Sequence, residues 1–182
     1  MVNIALLGGT GGVGSKFVAL ALERGHRVAL LARTPSKVEI KHANLTIVQG
    51  SSTVAEDVAS IITPEIDIAV SCLGNTDKNC IMANSAKNIV AACPKRMLAI
   101  SSMGIGGSSR VVKFLLTMII RKEGVKDYES AEMVYKDASN ASSSSISVVI
   151  VRPDILCDKE SNEFYKLTEK KECAQDLYQE QM

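Results

Sequence analysis

The chain has 182 residues, 46% apolar and 23% charged, which is the composition of a folded globular domain and excludes a disordered one. Lys and Arg number 21 against 20 Asp and Glu, with no Trp, four Tyr and three Phe, so there is neither a basic footprint for nucleic acid nor a base-stacking platform. Five cysteines, at 72, 80, 93, 157 and 173, are an odd number without a C-x-x-C pair; they read as reduced thiols packed as small apolar residues, not as a disulfide framework or a zinc site.

Met1 runs straight into a strand pattern with no secretory n-region and h-region, and the apolar runs are far shorter than the ~18 residues of a membrane span; a cytoplasmic protein is expected. Residues 2–7 are a strand-length apolar run closed by Gly8-Gly9. Val13, Phe17, Leu20 and Ala21 recur at helical spacing, and Gly25 ends that helix. A second strand, Arg27–Ala32, closes at Thr34-Pro35-Ser36, and a third, 45–48, at Gly50. Residues 54–62 read as a helix, 66–73 as a fourth strand, and 80–93 as a helix with Ile81, Ser85, Ile89 and Cys93 in one row. A fifth strand covers 97–100. Residues 114–120, between Lys113 and Arg121, are the most apolar segment and predict a buried or interface helix, or else a hydrophobic substrate lid or partner surface. The Ser-rich stretch 139–147 predicts a flexible loop, and Ser147–Val151 a sixth strand closed by Arg152-Pro153.

Strands of Ile, Val, Leu and Ala alternating with helices predict a three-layer, doubly wound parallel α/β sheet in the order 3-2-1-4-5-6. It forms a single domain over 1–182, with 108–146 as a substrate-side or interface helical segment.

Gly8-Gly9-Thr10-Gly11-Gly12-Val13-Gly14 satisfies G-x-G-x-x-G from Gly9, between a strand and a helix, which is the context a dinucleotide site needs. The glycines let the backbone turn tightly and approach a pyrophosphate, and the helix N-terminus offers free N–H groups. A Walker A loop is excluded, because no Gly-Lys-Ser/Thr follows. An NAD site places an acid about 20 residues on, against the ribose. From Arg24 to Val38 this chain has none. Arg33 instead meets a 2′-phosphate, with Thr34, Ser36 and Lys37 adding donors, so NADP is the expected cofactor and NAD a possible one.

The first 35 residues resemble an atypical short-chain dehydrogenase/reductase, more narrowly the NAD(P)-binding proteins akin to biliverdin reductase B and to NmrA-like proteins. The resemblance continues in Cys72-Leu73-Gly74-Asn75, in residues 86–92, in Ile100-Ser101-Ser102-Met103, in Lys126-Asp127-Tyr128 through Glu132, and in Val151-Arg152-Pro153-Asp154. There are departures. Gly50-Ser51 stands where the family usually has Gly-Asp beside the adenine, which puts Ser51 and Ser52 there. The Tyr-x-x-x-Lys of typical short-chain dehydrogenases is missing, since Glu132 follows Tyr128 and Ser139 follows Tyr135. Members usually run longer; 170–182 reads as the start of the last helix, with an abbreviated substrate side.

In a doubly wound sheet the ligand crosses the carboxyl ends of the strands. Cys72, Leu73, Gly74 and Asn75 should pass the cofactor ribose. Ser101 and Ser102 could bond a substrate carbonyl or the nicotinamide amide, and Ser102 matches the family's serine better. Pro153, Asp154 and Ile155 should meet the carboxamide through backbone groups, with Asp154 the weakest candidate, as a proton donor. His26 and His42 read as surface residues, and no hydrolase or metal-enzyme pattern is present. These residues predict an NADP(H)-dependent oxidoreductase passing hydride to a flavin, quinone or carbonyl small-molecule acceptor, working as a monomer or homodimer. The alternative is a non-catalytic NAD(P)-binding sensor or scaffold of NmrA-like type; a third, sugar-nucleotide epimerase reading lacks room for the usual substrate domain.

Overall fold

Ile4, Ala5, Leu6 and Leu7 are all buried, so the strand that carries them needs apolar cover on both faces. In the computed structural model that strand, β1 (Asn3–Leu7), lies inside a six-stranded parallel sheet with β2 (Arg27–Ala32), β3 (Leu45–Gln49), β4 (Ile68–Ser71), β5 (Arg96–Ile100) and β6 (Ser147–Val151). The order is β3-β2-β1-β4-β5-β6, as the sequence predicts. The structure describes residues 1–74, 80–102, 105, 110–141 and 146–153. Alternation sorts the side chains: Ala5, Leu7 and Leu31 face one core, while Ile4, Leu6, Val28 and Leu30 face the other, the period-2 pattern of a strand buried on both sides.

Helix α1 (Gly12–Glu23) covers the second core; α2 (Ala55–Ile61), α3 (Met82–Ala91) and α4 (Arg110–Asn140) cover the first. The buried stripe of α1 is Gly14, Val18, Ala21 and Leu22. It is offset from the predicted one: Val13 is 37% and Leu20 51% exposed. The reason is Gly14. A Cβ there would collide with Gly8 O and lie 2.7 Å from Gly9 Cα, so the helix presses its glycine, not its first valine, onto the turn. Between β2 and β3 the chain makes only a 3-10 turn at Pro35–Lys37.

The predicted helix 80–93 is shorter at both ends. Its start has no local side-chain cap. Instead Asp127, buried on α4, accepts hydrogen bonds from the amides of Met82 (2.8 Å) and Ala83 (3.0 Å), supplying from another helix the acceptor that the first turn lacks. Past its end Cys93 sits at φ +53, a left-handed position of the kind that stops helices. Cys80 and Cys93 are exposed and Cys72 half-buried, all as free thiols, which corrects the expectation of buried cysteines; Cys157 and Cys173 lie outside the described residues.

Val125, Tyr128, Ala131, Tyr135 and Ala138 carry the buried face of α4. The helix runs through Asn140, so the loop predicted from residue 139 begins later; residues 142–145 lie outside the described ones. Phe114 and Met118, one turn apart, are 64% and 71% exposed, so these two side chains of the apolar run lie outside the core. His26 is also partly covered, with a buried Nδ1 that has no partner among the described residues, whereas His42 is exposed. Among the described residues no helix is long and apolar enough to cross a membrane.

The Asp127 cap predicts a measurable cost. Asp127→Ala strands two amide donors that a charged acceptor now satisfies, so unfolding in urea should show a loss of about 2–3 kcal/mol. Asp127→Asn, which keeps one acceptor oxygen, should lose less. A change below about 0.5 kcal/mol, the scatter of an ordinary surface substitution, would remove the cap from the fold's stabilising contacts.

Candidate functional site

The carboxyl end of β1 breaks into a turn whose inner side has no room for side chains. Gly8 has φ +83, and a Cβ on it would lie 2.6 Å from the Cys72 carbonyl carbon and 2.8 Å from Leu73 N. Gly9 is pressed against Leu30 in the same way. The Gly11 amide closes the turn on Gly8 O at 3.2 Å, and Ser15 N makes the first helical bond, to Gly11 O at 2.9 Å. The amides of Gly12, Val13 and Gly14 therefore stand in the first turn of α1, where backbone donors have no partner within the helix. The outer side of the turn is open: a Cβ on Gly12 would meet nothing within 4 Å, and one on Gly11 only Gly8 O at 3.5 Å. Tight packing behind and free space in front is the shape required of a backbone that must approach a pyrophosphate.

A cleft of about 220 Å³ opens beside this turn. It brings together Gly8, Thr10, Gly11, Arg33, Ser51, Ser52, Cys72, Leu73 and Gly74, all expected from the sequence. Arg33 is exposed at its rim and makes no ion pair among the described residues. Burial pushes the Cys72 thiol up to about 11, so it lines the cleft as a neutral group. The floor beyond β3 is stitched down. Ser51 N donates to Asp57 Oδ2 at 2.8 Å, and a Cβ on Gly50 would lie 2.8 Å from Asp57 Cγ. The Ser51 and Thr53 hydroxyls bond each other at 2.8 Å, the Ser85 hydroxyl donates to that of Ser52, and Asn88 Nδ2 donates to Ser52 O. Thr53 and Ile81 also line the cleft and were missed in the sequence. Thr53 follows two predicted residues in one loop, a usable signal; Ile81 had none.

The far half of the carboxyl edge is held by a charge pair that sequence reading did not assemble. Ser101 Oγ donates to Glu132 Oε1 at 2.5 Å. Arg152 grips the same carboxylate with both ends of its fork, Nε to Oε1 at 2.9 Å and Nη2 to Oε2 at 2.6 Å. Glu132 is 4% and Ser101 9% exposed. The Ser101 amide also donates to Val151 O at 2.8 Å, so strand ends β5 and β6 and helix α4 converge on one carboxylate. Ser102, next in the chain, is half-buried. Two tyrosines of α4 reach the edge of β4. Tyr135 is pushed up to about 12 by burial, opposed by a hydrogen bond with Ser71. A Cβ on Gly74 would lie 3.6 Å from the Tyr128 hydroxyl.

The remaining expectations divide. Thr34, Ser36 and Lys37 are exposed beyond Arg33 and do not line the cleft. Gly9 and Gly14 are buried, Gly12 and Val13 are exposed, and none of the four lines the cleft. Pro153 follows β6 and is half-buried, while Asn75, Asp154 and Ile155 lie outside the described residues. Among the described residues no three His, Cys, Asp or Glu side chains gather as a metal site would require. A hollow of about 420 Å³ lies at the amino ends of β1 to β3, the end of a parallel sheet opposite to its ligand crevice.

Known proteins agree with this geometry. A 3-beta-hydroxysteroid dehydrogenase of Mycolicibacterium neoaurum is 42% identical over 60 residues, a stretch covering 33% of this chain but only 16% of that protein. A Rossmann-fold NAD(P)-binding family protein from Shigella flexneri superposes with a TM-score of 0.68 at 23% identity, over 95% of this chain and 77% of that one. ChuY, an anaerobillin reductase from Escherichia coli O157:H7, gives 0.65 at 20% identity, over 83% and 72%; both structural likenesses bear on the fold. The NAD(P)H-binding family model matches residues 8–178, and with the glycine turn, the cleft and the sheet order in place, the chain belongs to the NAD(P)H-binding family.

Proposed function

We propose that this chain is an NADP(H)-dependent oxidoreductase that reduces a flavin, quinone or carbonyl acceptor. The observation that carries the cofactor choice is Arg33: an exposed guanidinium at the rim of the cleft, beside the glycine turn, with no acid on the same strand end. The residues fit the group. Gly11 and Gly12 leave space where a pyrophosphate would press, the first-turn amides of α1 donate to it, and Arg33 binds a 2′-phosphate through charge-assisted bonds. Ser51, Ser52 and Thr53 line the adenine side, and Leu73 and Gly74 the ribose. When bound, the group supplies hydride from its nicotinamide; the protein orients, excludes water and offers hydrogen bonds.

Ser102 is the side chain we assign to the acceptor or the carboxamide. Ser101, whose one hydroxyl proton is donated to Glu132, can only accept a hydrogen bond from a ligand. Helix α4 forms the acceptor side in this reading, with Phe114 and Met118 exposed one turn apart. One observation favours the sensor alternative. Where a typical short-chain dehydrogenase has a lysine four residues after its tyrosine, Tyr128 is followed by Glu132, whose carboxylate is engaged by Arg152 and Ser101. That position therefore carries a carboxylate in place of the cation of a Tyr-Lys pair.

Arg33→Asp should weaken NADPH binding by roughly 2–3 kcal/mol, through a lost charge-assisted bond and an added repulsion. NADH binding should be unchanged or improved. Equal affinity of the unmutated protein for both nucleotides, with no effect of the substitution on their ratio, would contradict the NADP assignment.

Gly11→Val should abolish binding of either nucleotide while the circular dichroism spectrum and melting transition stay native, since a side chain there meets open space rather than protein. Unaltered binding by titration would place the ligand elsewhere.

A cofactor-oxidation screen over flavins, quinones and aldehydes separates enzyme from sensor. Turnover with one acceptor class is expected, and silence with tight NADPH binding would favour the sensor. In the active case Ser102→Ala should lower the rate about three- to tenfold, largely through weaker NADPH binding, the size of one neutral hydrogen bond. A loss beyond tenfold in turnover with cofactor affinity intact would instead assign Ser102 to transition-state charge.

A further inference from the structure

A buried carboxylate that holds a bidentate arginine and a serine proton at once is a costly arrangement. Replacing such a pair with apolar residues of similar volume often stabilises a fold, so its presence alone is weak evidence of a stabilising role. Its location is more telling. Ser101 is the first residue after β5 and Arg152 the first after β6, and Ser101 N bonds Val151 O. The cleft beside the glycine turn takes the adenine half of a dinucleotide. A ligand crossing the sheet from there passes β4 and reaches the ends of β5 and β6, where Glu132 bonds the side chains of Ser101 and Arg152.

We infer that Glu132 is a positioning residue for the nicotinamide half of the site: through Arg152 and Ser101 it fixes the spacing of the β5 and β6 strand ends that receive that half, and it contributes nothing to the adenine half. The inference rests on the cofactor reading above. It also fixes the polarity of Ser101. With its proton on Glu132 Oε1, the Ser101 oxygen can only accept a hydrogen bond, so any ligand group it meets must be an N–H or O–H donor.

The test compares NADPH with 2′,5′-ADP, which carries the adenine and the 2′-phosphate and lacks the nicotinamide half. Dissociation constants of both are measured by calorimetry on the unmutated chain, on Glu132→Gln, and on the double variant Glu132→Gln/Arg152→Gln. The double variant removes both charges of the pair and keeps the test open if the single one folds poorly. In both variants 2′,5′-ADP should bind within twofold of the unmutated protein, while NADPH binding weakens tenfold or more. A merely structural pair behaves differently. It would weaken both ligands together, or let the double variant recover full NADPH affinity once the charge is compensated; either result overturns the inference, as does an unchanged NADPH to 2′,5′-ADP ratio or a double variant that does not fold. An unmutated chain that binds neither ligand would remove the cofactor reading itself and the inference with it.

Discussion

The closeness of Gly8 to the end of β4 constrains everything around the cleft. A side chain on Gly8 has nowhere to go, because the Cys72 carbonyl is already there. Gly14 then rests on Gly8 in turn, so the first turn of α1 is locked to the end of β1, and β1 to the end of β4. That places the switch point of the sheet, between β1 and β4, directly beside the helix N-terminus. Crevices at such points are where parallel sheets hold ligands. The buried stripe of α1, the entry angle of the helix and the location of the cleft all descend from two missing Cβ atoms.

Beyond that point, side-chain hydrogen bonds secure the carboxyl edge. Ser71 meets Tyr135, Ser52 is held by Ser85 and by Asn88, and Ser101 is held by Glu132. In each case a helix packed on one face of the sheet fastens a serine at or just past the end of a strand. Loops that carry function must be placed by a scaffold they do not themselves supply. Here the scaffold is α3 and α4, and small hydroxyl residues make the joints because they fit where strand ends and helices come close.

Local features were legible in the sequence and long-range pairings were not. The glycine turn, the six strands and their order could be read because each depends on neighbours in the chain: apolar runs, turn residues, one repeated period. Arg33 and Ser51 could be placed because they end strands. The start of α3 could not, since its cap comes from Asp127, 45 residues away from Met82. Glu132 and Arg152 were visible as residues but not as a pair, because periodicity says which face a residue takes and not which partner lies across the fold. The stripe of α1 was misread by one position for a similar reason. Hydrophobicity favoured Val13 as the inward residue, whereas close packing demanded the residue with no side chain at all.

The borrowed cap of α3 has a consequence for how the chain is made. At a translation rate of roughly 5–20 residues per second, the 45 residues between Met82 and Asp127 take roughly 2–9 s to synthesise. During that interval α3 exists as a ten-residue segment, below the length at which isolated helices persist in water. Its inward side chains, Met82, Ala86 and Ile89, have as yet no α4 to pack against. The nascent protein therefore passes through a stage with a half-covered sheet and an unfinished helix, the kind of surface that chaperones bind and that aggregates when it lasts. Docking of α4 both covers that face and completes α3, since the same helix supplies the packing and the cap.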